Sequence, residues 1–122
     1  MPRELQLAVI DDDDSFRAAL VESLCSLGYG AREFASAEAF MAADGIASYD
    51  CVITDIHMPG MSGLDLMRSL RARGSSVAII VITARAEPAM EERALAGGAI
   101  GLLRKPFGTD ALVGYLEKAC GG

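Results

Sequence analysis

Short apolar runs without polar alternation recur along the chain, and they indicate strands that are buried on both faces. Four of them stand out, at residues 5–10, 51–54, 77–83 and 100–103, and a weaker fifth occupies residues 31–34. Strands of this kind belong to parallel sheets, because helices cover both sides of such a sheet. The pattern therefore predicts five strands in one buried sheet.

Segments with helical spacing lie between these strands. The first has apolar residues at the i, i+3, i+4 and i+7 positions, with Asp14 or Ser15 placed to cap its start and Gly28 to end it. Further helices are predicted from the cap Ser36 to residue 43 and over residues 64–73, 87–96 and 109–119. Five alternations of strand and helix predict an α/β fold with a doubly wound parallel sheet.

The composition fits one domain that spans residues 1–122. Hydrophobic residues make up 52% of the chain and charged residues 23%, a balance that favours a compact folded protein over a disordered segment. The net charge of -6 repels the phosphates of nucleic acid, so direct contact with nucleic acid is not expected.

The cysteines and the first residues indicate a reduced, cytoplasmic protein. The three cysteines are an odd number and stand far apart, without a CxxC pair or a histidine cluster that could complete a zinc site. The opening Met1-Pro2-Arg3-Glu4 lacks the features of a signal peptide. No apolar run approaches the roughly 20 residues that cross a membrane, so a cytoplasmic location without membrane attachment is expected.

Polar residues follow four of the predicted strands. Asp11 to Asp14 come after the first strand, Asp55 after the third, Thr83 after the fourth and Lys105 after the fifth. In a doubly wound sheet of order 2-1-3-4-5 these four strands are neighbours, and ligands gather at the carboxyl ends of parallel strands. These residues are therefore predicted to meet at one rim of the sheet.

The chemistry of these side chains suits magnesium and phosphoryl groups. Close carboxylates repel one another unless a cation joins them, and Mg²⁺ prefers oxygen ligands in a hydrated cleft. Lys105 adds a positive charge and Thr83 a hydroxyl, and both groups can stabilise the oxygens of a transferred phosphoryl group. Each feature alone has a plainer interpretation as a helix cap, a turn aspartate, a strand-end hydroxyl or a surface lysine. Their joint placement favours a functional site.

Four short motifs, in this order, resemble the receiver domains of two-component response regulators, and the resemblance covers essentially the whole chain. The acidic pair, the phosphoacceptor segment, the switch-threonine segment and the lysine motif correspond to residues 9–12, 52–63, 81–84 and 105–107. Residues 36–40, Ser-Ala-Glu-Ala-Phe, are similar to the FixJ-like subgroup. The resemblance implies a CheY-like, flavodoxin-like fold of five βα units.

The resemblance also implies roles for the acidic residues. Asp55 would accept a phosphoryl group from a phosphohistidine of a sensor histidine kinase, or from a small donor such as acetyl phosphate. Asp12, Asp55 and the backbone carbonyl of His57 would bind Mg²⁺ directly. Asp11 would act mostly through water or in positioning.

The remaining site residues are expected to respond to the phosphoryl group. Thr83 would move toward its oxygens, Lys105 would pair with them, and the peptide bond between Lys105 and Pro106 is expected to be cis. His57 and Arg85 each stand two residues beyond a site residue, and we hypothesise that they tune the lifetime of the phosphoryl group.

Leu102 departs from the family pattern. Many receivers carry an aromatic residue three positions before the lysine, and that residue swings inward when the threonine moves. Leucine has no ring, so the switch is expected to act by repacking of the fourth helix and fifth strand instead. The surface formed by the fourth helix, fifth strand and fifth helix would bind a partner or a second copy, or its apolar residues are simply core: Met90, Leu95, Leu102, Val113 and Tyr115.

Three other interpretations fit parts of the sequence. A haloacid dehalogenase-type phosphatase needs a second aspartate at the position of His57, and a flavodoxin-like carrier needs a phosphate-binding loop where four aspartates stand. A degenerate receiver that only docks partners usually lacks an acidic, acceptor or lysine residue. An aspartyl-phosphate switch without turnover of an independent substrate is favoured. The end at Gly121-Gly122 fits a free-standing receiver or one excised from a longer regulator.

Overall fold

A computed structural model describes residues 5–43, 45–85 and 87–119. Met1 to Glu4, Cys120 and the final Gly121-Gly122, which entered the predictions above, lie outside the described residues. The strands are β1 (Gln6–Ile10), β2 (Gly30–Phe34), β3 (Cys51–Asp55), β4 (Ala78–Thr83) and β5 (Gly101–Arg104). The helices are α1 (Asp14–Ser26), α2 (Ala37–Ala42), α3 (Gly63–Ala72), α4 (Pro88–Ala96) and α5 (Thr109–Ala119), and a 3₁₀ turn covers Ile46–Ser48.

The five strands form one parallel sheet in the order β2-β1-β3-β4-β5. This is the predicted doubly wound arrangement, and it is confirmed. The candidate site residues follow or end β1, β3, β4 and β5, and these four strands are neighbours in the observed order. In the described part of the chain, no helix is long and apolar enough to span a membrane.

Each face of the sheet packs against its own group of helices. On one face, Leu7, Val9 and Ile53 pack against Leu24 of α1 and Leu112 of α5. On the other face, Ala8, Ile10, Val52 and Val81 pack with residues of α2, α3 and α4, including Phe40, Leu66 and Ala94. Successive residues of a strand point to opposite faces, so strands covered on both sides are apolar throughout.

The start of α1 differs from the prediction. Its N-cap is Asp13, whose side chain accepts a hydrogen bond from the backbone N–H of Phe16, whereas the sequence pattern favours Asp14 or Ser15. The cause lies in the preceding turn. The backbone N–H of Asp13 donates to Oδ1 of Asp11 at 2.9 Å, which holds Asp13 in the extended conformation that a cap residue needs.

The other element boundaries differ from the predicted ones by about one residue. Helix α3 begins at Gly63 because Ser62 and Asp65 form a capping box, in which each side chain accepts from the backbone N–H of the other. Helix α4 begins at Pro88, with Glu87 as its N-cap. Strand β3 extends to Asp55, so the predicted acceptor is the last residue of the strand and is fixed by the sheet.

Candidate functional site

The carboxyl ends of four strands bring the predicted site residues to one rim. Asp55 ends β3 opposite Ile82, and Thr83 is the next residue of β4. Lys105 follows β5 and its backbone N–H donates to the carbonyl oxygen of Thr83 at 2.8 Å. Asp11 follows β1 and its N–H donates to the carbonyl oxygen of Phe34 on β2 at 3.2 Å. The sheet itself therefore produces the convergence that strand order predicts.

Three carboxylates form the acidic cluster of this rim. Asp11, Asp12 and Asp55 each place one oxygen within 4.8 Å of the others. Asp11 and Asp55 are buried, whereas Asp12 is exposed. The cluster therefore has a buried floor and one carboxylate open to solvent.

Lys105 joins the two buried carboxylates. Its Nζ lies 2.9 Å from Oδ2 of Asp11 and 3.1 Å from Oδ2 of Asp55. The lysine side chain is only 17% exposed, so water screens these ion pairs less than it screens surface pairs. The Lys105 ammonium therefore neutralises part of the negative charge of the acidic cluster.

The titration of these groups reflects their burial. Burial raises the pKa of Asp11 above its ordinary value, although the contact with Lys105 acts in the opposite direction. Burial alone would lower the pKa of Lys105, but its contacts with Asp11 and Asp55 outweigh that effect and raise the lysine pKa. Lys105 is therefore held in the charged form.

The donor set fits a hard divalent cation. All three clustered side chains offer oxygen, as Mg²⁺ requires. Oδ2 of Asp11 is buried and lies 2.9 Å from Nζ of Lys105, and among the described residues it has no other polar partner. A cation that approached this buried oxygen would therefore compete with the Lys105 ammonium and with no other described group.

The four consecutive aspartates have four different environments. Asp11 is buried beside Lys105, and Asp12 is exposed in the acidic cluster. Asp13 caps α1, and Asp14 pairs with Arg17 at 2.7 Å. Of these four aspartates, only Asp11 and Asp12 therefore belong to the acidic cluster, and their role as metal ligands stays a prediction.

The loop after Asp55 is fixed by short contacts. Oδ1 of Asp55 accepts a hydrogen bond from the backbone N–H of His57 at 3.0 Å. Gly63 packs directly against the backbone of Asp55 and Ile56, and an added Cβ would collide with the Asp55 carbonyl oxygen. Farther along, the side chain of Glu38 on α2 accepts from the backbone N–H of Met61 at 3.0 Å. Glu38 is a support that the sequence analysis missed.

Thr83 is buried at the rim, and its hydroxyl is engaged within its own turn. Oγ1 donates to the carbonyl oxygen of Arg85 at 2.9 Å and accepts from the Arg85 backbone N–H at 3.1 Å. The hydroxyl is therefore bound to the β4 to α4 connection in this structure.

His57 and Arg85 share a partner that the sequence analysis missed. Nε2 of His57 lies 3.4 Å from Oε1 of Glu87, and Nη1 of Arg85 lies 3.8 Å from the same oxygen. The loop after β3 and the start of α4 therefore meet at Glu87.

The predicted switch surface is partly core. Leu102 and Met90 are half-buried against the core on the α2, α3 and α4 side, and Tyr115 is half-buried against the other core. Leu95 is 53% exposed, and Val113 is half-buried. The core interpretation therefore describes most of these residues, and Leu95 is the one that is open to solvent.

The ring of Phe16 lies against the ammonium of Lys105, a contact that the sequence analysis also missed. The Lys105–Pro106 peptide bond is cis, as expected. Nζ of Lys105 lies 4.1 Å from the centre of the Phe16 ring. The Phe16 and Phe107 rings meet edge to face with their centres 5.9 Å apart.

Comparison with known proteins agrees with this geometry. A family model described as response regulator receiver domain matches residues 7–117. The transcriptional regulatory protein FixJ of Azorhizobium caulinodans is 38% identical over 121 residues, which are 99% of this chain and 57% of that protein. The response regulator protein TmoT of Ectopseudomonas mendocina is 35% identical over 117 residues, 96% of this chain and 53% of that protein.

Solved structures share the fold. The crystal structure of FixJ-N superposes with a TM-score of 0.89 at 30% identity and covers 98% of this chain and 96% of that chain. Vibrio cholerae chemotaxis protein CheY4 gives a TM-score of 0.87 at 26% identity and covers 96% of this chain and 99% of that chain. The chain spans about half the length of the curated relatives it matches. The chain belongs to the response regulator receiver domain family of two-component signalling systems.

Proposed function

We propose that this receiver is an aspartyl-phosphate switch in which Asp55 accepts the phosphoryl group. The observation that supports this most is the environment of Asp55, a carboxylate that ends a central strand with Oδ2 3.1 Å from Nζ of Lys105. The same carboxylate belongs to a cluster with Asp11 and Asp12. A nucleophile, a fixed cation and further acidic ligands are thus available at one place.

Magnesium would bind at the acidic cluster. Asp12 and Asp55 would hold it directly together with the backbone carbonyl of His57, and Asp11 would act mostly through water. The bound ion would neutralise charge on the phosphoryl oxygens. Asp12 is exposed, so a cation can reach its carboxylate directly from solvent.

The chemical step is a transfer between two nucleophiles. An Oδ oxygen of Asp55 forms a bond to phosphorus while the bond from phosphorus to the histidine nitrogen of the sensor kinase breaks. The leaving nitrogen keeps the electron pair of the broken bond. Lys105, held charged by its neighbours, would shift from the Asp55 carboxylate to an oxygen of the transferred group. No independent substrate is turned over.

Thr83 would link the phosphoryl group to the rest of the domain. To reach a phosphoryl oxygen, its hydroxyl has to leave the Arg85 backbone groups that it now binds. That change would move the β4 to α4 connection and favour a second arrangement of the surface formed by α4, β5 and α5. Since Leu102 provides no ring, repacking of Leu102 and Met90 against the core would carry the change.

His57 and Arg85 would tune the lifetime of the phosphoryl group. Both side chains contact Glu87, so their positions depend on the same β4 to α4 connection that follows Thr83. Autodephosphorylation rates of His57→Ala and Arg85→Ala would reveal this role.

The partners follow from the proposed switch. A sensor histidine kinase would supply the phosphoryl group, and an output domain or partner protein would respond to the surface formed by α4, β5 and α5. A second copy of the chain could bind the same surface. The relatives named transcriptional regulatory proteins suggest control of transcription as the output. Residues 1–122 would act as one receiver unit.

Intact mass spectrometry tests the function. The protein is incubated with acetyl phosphate, with Mg²⁺ or with a chelator, and compared with Asp55→Asn and with Asp14→Asn, which changes an aspartate outside the acidic cluster. One Mg²⁺-dependent phosphoryl adduct on the parent and on Asp14→Asn, absent from Asp55→Asn, is expected. If the parent takes no adduct from acetyl phosphate, beryllofluoride or a partner kinase, a degenerate docking receiver becomes the better description.

A further inference from the structure

We infer that Phe16 is a positioning residue for Lys105, and that its ring fixes the ammonium between Asp11 and Asp55. This inference rests on the proposed function, because it concerns the rate at which Asp55 takes a phosphoryl group. Nζ of Lys105 lies 4.1 Å from the centre of the Phe16 ring. That distance is within the range of a cation–π interaction.

The number of donors supports this arrangement. A lysine ammonium has three N–H groups. Asp11 and Asp55 each have one oxygen within 3.1 Å of Nζ, and the Phe16 ring is the third neighbour of the ammonium. A flexible lysine side chain with three different partners is restricted to a small range of positions.

The ring also replaces water that the lysine has lost. The lysine side chain is largely buried, and an ammonium that loses water needs other electrostatic partners. The negative face of an aromatic ring provides such a partner, and an aliphatic side chain of similar size does not. The contribution of Phe16 is therefore electrostatic as well as steric.

The ring itself is held from two sides. Phe16 lies in the first turn of α1, where its backbone N–H donates to the Asp13 side chain. The Phe107 ring, two residues after Lys105, meets the Phe16 ring edge to face. The segment after β5 therefore supplies both the lysine and a ring that supports Phe16.

A fixed ammonium should increase the rate of phosphoryl transfer to Asp55. If the ammonium is already placed beside Asp55, incoming phosphoryl oxygens meet a fixed positive charge and little reorganisation is needed. Without the ring, Lys105 samples more positions and the transfer slows. We expect Phe16→Leu to lower the rate of phosphorylation by acetyl phosphate by about three- to tenfold, from the usual strength of a partly buried cation–π pair.

A fluorination series at position 16 separates electrostatics from packing. Fluorine withdraws electrons from the ring and weakens its negative face, while the ring shape changes little. Phe16 is replaced by mono-, di- and trifluorophenylalanine, and Phe40, a buried ring in the opposite core, receives the same series as the control. The phosphorylation rate is expected to fall stepwise with fluorination at position 16 and to stay constant at position 40. Equal rates for Phe16, trifluorophenylalanine and leucine would overturn the inference.

A second readout uses the metal-free protein and needs no phosphoryl transfer. The chain has only two lysines, Lys105 and Lys118, so ¹³C labelling of the lysine ε-carbons gives two assignable signals. The ring current of Phe16 should move the Lys105 ε-proton signal upfield of the exposed Lys118 signal, and Phe16→Leu should abolish only that shift. Coincident lysine signals in the parent would overturn the placement of the ring. A parent that shows the upfield shift but takes no phosphoryl group would support the placement and count against the proposed function alone.

Discussion

Nζ of Lys105 lies 3.1 Å from Oδ2 of Asp55, although fifty residues separate them in the chain. The parallel sheet produces this contact, because β3 and β5 flank β4 and end at the same rim. The ammonium of Lys105 therefore forms an ion pair with the Asp55 carboxylate, which is proposed both to bind Mg²⁺ and to accept the phosphoryl group.

Replacing Lys105 should separate metal binding from phosphoryl transfer. In Lys105→Met, Mg²⁺ no longer competes with an ammonium for the carboxylates, so its affinity should rise by roughly tenfold, as expected for removing a like charge at a partly exposed site. The phosphorylation rate should fall, because the charge that stabilises the transferred group is lost. Calorimetric Mg²⁺ titration and acetyl phosphate kinetics measure the two effects, with Lys118→Met as the control. Weaker Mg²⁺ binding in Lys105→Met would argue against this competition.

Substitutions of the neighbouring residues Asp12 and Asp13 should affect different properties, Mg²⁺ affinity for Asp12 and stability for Asp13. Asp12→Ala removes an exposed carboxylate of the acidic cluster, so Mg²⁺ affinity should fall by about tenfold or more while stability without metal changes little. Asp13→Ala removes the N-cap of α1 and should lower the free energy of unfolding by about 1 kcal/mol. Its Mg²⁺ affinity should stay within a factor of about two, since loss of a helix cap changes no charge inside the acidic cluster. Urea unfolding and Mg²⁺ titration of both variants distinguish them, and equal phenotypes would contradict the assignment.

Gly63 should tolerate no side chain. A Cβ at this position would meet the backbone carbonyl of Asp55, so Gly63→Ala should lower the free energy of unfolding by about 1–3 kcal/mol through overpacking. Gly114 in α5 is the matched control, because a Cβ there meets nothing within 4 Å, and Gly114→Ala should stabilise the helix by about 0.5–1 kcal/mol. Thermal unfolding gives both values. Equal effects of the two substitutions would show that the packing against Asp55 is not tight.

The arrangement of strands could be predicted from the sequence, but the local geometry of the rim could not. Strands β1, β3 and β4 are apolar over most of their length because helices cover both faces of the sheet, and this pattern can be read directly from the sequence. The choice of Asp13 over Asp14 as the N-cap depends on one hydrogen bond from Asp13 to Asp11. Side chains able to cap a helix stand at several successive positions, so sequence alone does not decide among them.

Contacts between distant segments were the other features missed. The ring of Phe16 over Lys105, the pairing of His57 with Glu87 and the hydrogen bond from Met61 to Glu38 join residues from different loops and helices. Phenylalanine at helical spacing in α1 fits the core pattern equally well. The spacing of apolar residues along the chain does not identify a contact partner that is distant in the sequence.

The capping box of α3 should make the free energy of unfolding depend on pH in the acidic range. Hydrogen bonds from the backbone and side chain of Ser62, together with Arg68, lower the pKa of Asp65 below its ordinary value of 3.8. A lowered carboxyl pKa means that the folded state favours the ionised form. The contribution is therefore present above pH 3.8 and is lost as the pH falls through the lowered pKa.

Two variants measure this contribution. Asp65→Ala should be less stable than the parent near neutral pH, and the difference should shrink as the pH falls below 3.8. Ser62→Ala removes the N-cap and should cost about 1 kcal/mol. Urea unfolding at several pH values provides the data, and a difference for Asp65→Ala that persists unchanged in acid would exclude the ionised capping box as its source.

The proposal that Asp55 accepts the phosphoryl group is tested most directly by locating the phosphorylated residue. After incubation with acetyl phosphate and Mg²⁺, borohydride reduces an aspartyl phosphate to homoserine, and tandem mass spectrometry of the peptides locates it. Homoserine at position 55, and its disappearance when Mg²⁺ is chelated, is the predicted result. Homoserine at position 11, 12 or 13, or none at position 55 in a protein that has gained a phosphoryl mass, would contradict the assignment of Asp55 as the acceptor.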